Sequence, residues 1–195
     1  MCNSSCYFIV VSTVACYYCS QVFQFILLFK FSIIDEYVTF WGVLVSCCIF
    51  THDRGVVKTG KVKGGGVSRY LNTKWCNPKN THVKYTICNP DIELLTLSPR
   101  PYYLPKEFTH VLITNVYDSP SANGSSAANQ LATHIYDMES QHPDALKIVT
   151  GDFNYCDAAT ELSALLLQQE VNCPTRGEKT LDLFFLPQPA SVATL

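Results

Sequence analysis

The sequence predicts an α/β domain in which helices layer against a sheet, rather than a β-sandwich. Three observations lead there. A strand, helix, strand succession runs from Thr109 to Thr150, the unit from which α/β sheets are built. The apolar run 145–150 ends in Gly151-Asp152-Phe153-Asn154, which sets an acid and an amide at the carboxyl tip of a buried strand, where open α/β sheets place their chemistry. A further acid, Asp182, stands between Leu181 and Leu183 inside a late apolar strand, and an acid there needs a physical reason.

The chain has 195 residues, enough for one domain with a real core. Its formal net charge is −2, so there is no whole-chain basic field, and any nucleic-acid contact must rest on a local patch. Composition divides the chain near residue 50. Up to that point the only charged side chains are Lys30, Asp35 and Glu36, and six of the ten cysteines fall there. Residues 6–29 form an uncharged, mostly apolar stretch long enough to cross a bilayer, and 37–50 a second one that is short for crossing. A signal peptide is disfavoured because Met1-Cys2-Asn3-Ser4-Ser5 carries no Lys or Arg. The β-branched and aromatic content with scattered Cys also suits a non-native fusion joined to a domain, and length alone leaves membrane span and fusion both open. Residues 51–195 have the composition of a soluble domain. Cys16 and Cys19 form a C-x-x-C, but no second pair follows at zinc-site spacing, so free thiols are expected.

The elements follow in order. Residues 51–66 are polar and glycine-rich, with Arg54, Lys58, Lys61 and Lys63 ahead of Gly64-Gly65-Gly66. This reads as a solvated loop, since the glycines lack the spacing of a phosphate-binding loop. Strands are expected at 67–71, 83–88 and 93–97, with a turn region at 72–80 and turn formers at Asn89-Pro90-Asp91. Residues 109–117 form the strongest strand pattern. Ala128, Leu131, Ile135 and Met138 recur at helical spacing between 126 and 142, and Pro143 stops the helix. A strand at 145–150, an apolar helix at 162–169 and a last strand at 180–186 complete the pattern. At the tip after 150, Asp152 and Asn154 lie two residues apart, so both point to one side and can converge on a phosphate.

Several segments together resemble one family. They are Gly64-Gly65-Gly66, Trp75, Pro90-Asp91-Ile92-Glu93, Arg100-Pro101-Tyr102-Tyr103-Leu104-Pro105, Val116-Tyr117, His142-Pro143, Gly151-Asp152-Phe153-Asn154, Cys173-Pro174-Thr175-Arg176 and Thr180-Leu181-Asp182-Leu183. Their order and spacing, from about Asp53 to about Leu186, are similar to the endonuclease domain of vertebrate LINE-type (non-LTR) retrotransposons, within the endonuclease/exonuclease/phosphatase superfamily. The resemblance implies a two-sheet α/β sandwich, here partial, that nicks DNA by phosphodiester hydrolysis with Mg²⁺. It implies that Asp152 activates water or assists proton transfer, that Asn154 holds this region and a phosphate oxygen, and that Tyr117 stabilises charge developing on the scissile phosphate. It also implies that Asp182 orients a catalytic histidine, and that Thr175 lies near the site.

The sequence departs from the family at both ends. The strand bearing a metal-binding Glu should precede the glycine-rich loop, yet Glu36 is the only glutamate there and its surroundings do not match. The closing Ser-Asp-His is replaced by 187–195, and none of the five histidines occupies that place. The metal set therefore reads as incomplete, and the expectation is an incomplete domain at 51–195 with little hydrolytic activity of its own. Two alternatives stand beside it: a membrane-anchored protein that uses the α/β part as a binding surface, and a small-phosphoester phosphatase of the same superfamily. By the resemblance the partner is DNA and the location nuclear or cytoplasmic. The segment 6–29 would instead place the chain at a membrane.

Overall fold

The computed structural model describes residues 6–11, 26–31, 38–40, 43–45, 47–53, 66–154 and 156–188. Four short strands pair two by two near the amino terminus: β1 (Cys6–Val11) with β2 (Ile26–Phe31), and β3 (Val38–Phe40) with β4 (Val43–Val45). Strand β5 (Cys47–Asp53) pairs antiparallel with β6 (Gly66–Asn72). Most of the segment 6–29, and the basic rim 54–65, lie outside the described residues. Among the described residues no helix is long and apolar enough to cross a membrane.

A six-stranded mixed sheet organises the rest, in the order β11, β12, β10, β9, β8, β7. In chain order its strands are β7 (His82–Cys88), β8 (Ile92–Ser98), β9 (His110–Asp118), β10 (Ala145–Asp152), β11 (Leu167–Gln169) and β12 (Asp182–Pro187). Strands β9 and β10 are parallel, and helix α1 (Gly124–Gln141) crosses between them as the predicted strand-helix-strand unit requires. The remaining pairs are antiparallel.

Alternation along the strands divides the core between two faces. On one face, Ile92, Leu94, Val116, Val149 and Phe185 pack against Ala127, Ala128, Leu131 and Ile135 of α1 and Leu162 of the short helix α2 (Ala159–Ala164). On the other, Leu95, Leu97, Val111, Ile113, Ile148 and Phe184 pack against Val67 and Leu71 of β6. Each buried Leu or Ile side chain contributes about 1.5–3 kcal/mol, so both faces are firmly covered. The start of α1 is fixed at the end of the sheet where β9 finishes. The Asn123 side chain caps it by accepting from the Ser126 N–H at 3.2 Å, and Asp91 accepts from the Asn123 N–H at 3.1 Å and from the Ser126 hydroxyl at 2.8 Å.

The mixed α/β architecture is the expected one, and the strands predicted at 67–71, 83–88, 93–97, 109–117, 145–150 and 180–186 are present with shifts of a residue or two at their ends. The helix expected over 162–169 is not formed as such. Helix α2 ends at Ala164, Leu166 turns the chain with φ 59°, and Leu167–Gln169 joins the sheet edge beside β12. The apolar run did not distinguish helix from edge strand because only Leu162 and Leu167 are fully buried, each in a different element.

Candidate functional site

Register brings the candidate residues together. In the six-stranded sheet Glu93 lies opposite Tyr117, Tyr117 opposite Asp152, and Asp152 opposite Asp182. Directly opposed residues share a face, so four strands set one row of candidate side chains across the sheet, on the face away from α1. Every member of that row stands where apolar residues would otherwise alternate. Gly151 makes the close approach possible: a Cβ there would lie 1.9 Å from the Val116 carbonyl oxygen, so only glycine lets β10 lie this near β9 at the tip.

Asn154 follows the tip and turns back over it. Its amide donates to the Asp118 carbonyl at 2.8 Å, which ties the loop after β10 to the end of β9. The hairpin loop ahead of β12 closes the site from the other side. There the Thr175 hydroxyl oxygen accepts from the backbone N–H groups of Leu181 and Asp182, both at 3.0 Å, and Arg176 and Lys179 exchange backbone hydrogen bonds around Gly177, whose φ is 61°. Thr175 thus shapes the loop. The loop in turn aims Arg176, whose guanidinium lies 3.3 Å from Asp152 Oδ2 and donates to Asn154 Oδ1 at 3.4 Å.

The electrostatics follow from burial. Asp152 is 4 % exposed, and that desolvation pushes its carboxyl up to about 6; the Arg176 guanidinium opposes the shift and the neighbouring Asp182 adds to it. Asp152 is therefore poised to hold or release a proton near neutral pH. Asp182 is 2 % exposed, and both of its carboxylate oxygens, like Asp152 Oδ1, are buried without a hydrogen-bond partner. One pleat below the row, on the same face, fully buried Arg69 donates to Asn115 Oδ1 at 2.9 Å, with its own pKa lowered by burial to about 10.

The implied Mg²⁺ finds a poor fit. Magnesium takes near-octahedral oxygen ligation and keeps much of its water. Asp152 and Asp182 do offer three unpaired buried oxygens, but among the described residues no group of three or more His, Cys, Asp or Glu side chains converges to hold a metal, and a guanidinium already faces Asp152. The histidines whose side chains are described, His82, His110, His134 and His142, all stand away from Asp182. His110 and His142 meet edge to face, with centroids 5.0 Å apart, at the far end of β9. His134 is buried on the α1 face, where Nε2 lies 2.8 Å from Thr96 Oγ1. His82 opposite Ser98 is also at the far end.

Of the five predicted residues, Tyr117, Asp152 and Asp182 form the row, Asn154 bonds across its end, and Thr175 acts through the loop. Two neighbours lie within the motifs that carry the resemblance but were not expected as site residues. Glu93 carries the same signal that drew notice to Asp182, an acid within an apolar strand, and Arg176 lies in the polar loop ahead of the last strand, which gives it no periodic signature. Only the fold brings Arg176 to Asp152.

No family model matches the sequence, and neither does any curated protein. Solved structures do. One is an endonuclease/exonuclease/phosphatase family protein from Bacteroides thetaiotaomicron, 14% identical, with a TM-score of 0.46 over 71% of this chain and 60% of that one. Another is the human Nocturnin catalytic domain with bound sulfate, 12% identical, TM-score 0.49, over 73% and 60%. A third is D. rerio TDP2 complexed with single strand DNA product, 14% identical, TM-score 0.45, over 74% and 63%. The chain spans less than two thirds of the length of each.

Proposed function

We propose that this chain carries a phosphodiester-binding site derived from a Mg²⁺-dependent DNA-nicking endonuclease of LINE-type retrotransposons, and that the chain by itself hydrolyses DNA negligibly. The observation that carries this reading is the row Tyr117, Asp152, Asp182, capped by Asn154 and faced by Arg176. A guanidinium and an amide suit phosphate oxygens, and a phenol hydroxyl suits charge developing on phosphorus-bound oxygen. Asp152, with its carboxyl near 6, suits proton transfer to or from water.

Negligible turnover follows from what the site is without. Among the described residues no group of three or more His, Cys, Asp or Glu side chains could hold a metal, and groups that act as a unit lose rate far more than additively when members are missing. Purified full chain incubated with supercoiled plasmid and Mg²⁺ should leave the plasmid closed. Titration with a thymidine dinucleotide should nevertheless perturb the NMR signals of the Asn154 amide and the Arg176 guanidinium. Mg²⁺-dependent nicking that Asp152→Ala abolishes would refute the inactivity, and a dinucleotide that moves neither signal would refute the binding site.

A further inference from the structure

At the opposite end of the sheet stands a surface that the site does not explain. Strand β8 runs antiparallel to β9, so Glu93 lies at the Asp152 end and the segment after Ser98 emerges at the other, on the order of 17 Å away along the strand. There Tyr103 is 90% exposed and Tyr102 57%. Pro101 and Pro105 restrict the loop that bears them, and it is tied down by a bridge between Cys76 and Pro101 and by the Tyr102 N–H, which donates to the Trp75 carbonyl at 3.0 Å. These ties join residues 72–80 to 99–107. The two segments carry exposed Lys74, Lys79, Arg100 and Lys106 against a single acid, Glu107, in a chain whose net charge is −2.

We propose that this pole binds single-stranded nucleic acid, with unpaired bases stacking on Tyr102 and Tyr103 and the backbone phosphates following the four cations. Single exposed aromatics are ordinary on protein surfaces; two adjacent ones held by prolines inside a locally cationic patch are not. Charge complementarity selects a polyanion. The exposed rings select among polyanions, because unstacked bases offer π faces, whereas duplex bases are already stacked and acidic peptides have none to offer. The surface makes no use of Asp152.

The test is fluorescence anisotropy with the full chain and a labelled oligothymidylate of about ten nucleotides, beside a duplex of the same length and a labelled polyglutamate. The oligothymidylate should bind more tightly than either control. Tyr102→Ala with Tyr103→Ala should weaken it at least tenfold, and Tyr102→Phe with Tyr103→Phe should retain it. Lys79→Ala should reduce the slope of log affinity against log salt by roughly 0.7. Circular dichroism checks that the variants stay folded. Equal binding of polyglutamate, preference for duplex, or indifference to the double alanine variant would each overturn the proposal.

Discussion

Asp152 owes its behaviour to two opposing neighbours. Burial raises its carboxyl to about 6, while Arg176 at 3.3 Å holds the rise in check. Arg176→Ala removes the opposing cation and leaves the desolvation in place, so the Asp152 carboxyl should titrate higher still, by about one unit, in a ¹³C carboxyl NMR titration. A titration that stays where it was would mean that solvent, rather than Arg176, compensates the buried charge. Legibility at this scale was uneven. Asp152 and Asn154 could be picked out at the tip of an apolar strand and Asp182 as an acid inside another, whereas Tyr117 was marked only by the family resemblance. Thr175 was placed near the site, but its hydroxyl oxygen accepts two backbone N–H groups and so works on the loop rather than on a ligand. Arg176 sits on an irregular loop, and no spacing rule relates such a loop to a strand 24 residues earlier.

At the scale of elements, the site depends on the parallel pair β9 and β10 keeping its register to the very tip. Eight consecutive opposed pairs, from Ala145 with His110 to Asp152 with Tyr117, set that register. Gly151→Ala would drive a methyl group into the Val116 backbone, whose oxygen, carbon and nitrogen lie 1.9, 2.7 and 2.8 Å from the ideal Cβ. Backbone cannot rotate away as a side chain does, so the strands must part. The expected cost is on the order of 3 kcal/mol or more in urea denaturation, together with loss of the Asn154 amide contact to Asp118. Stability unchanged by this substitution would show that the close approach of the two strands is not required. The crossover was legible because helix α1 has four apolar residues at helical spacing and a terminating proline. The chain between 162 and 169 was not, since two short elements share one apolar run and the turn at Leu166 is made by a leucine in a conformation that leucine seldom adopts.

For the whole molecule, two buried groups on opposite faces of one sheet set opposing pH dependences. Asp152 has its pKa raised to about 6, so its neutral form favours the fold below the ordinary carboxylate range and that contribution is lost as pH rises through 6. His134 has its pKa lowered to about 4 by burial, so the neutral imidazole bonded to Thr96 favours the fold above 6.5, and that contribution is lost as pH falls through 4. Between about 4 and 6 the unfolded chain holds a proton on His134 that the fold rejects, while the fold holds one on Asp152 that the unfolded chain has released. Each effect reaches about 1.4 kcal/mol per pH unit, and their signs are opposite, so together they nearly cancel. Asp152→Asn should therefore add a rise of stability with pH across this window relative to the parent chain. His134→Gln, which keeps a hydrogen-bonding partner for Thr96, should add a fall of similar size. Urea denaturation at pH 4, 5 and 6 measures both slopes. If the two variants tilt the curve in the same direction, the assignment of a buried acid on one face and a buried neutral imidazole on the other is wrong, and with it the proton-holding role of Asp152.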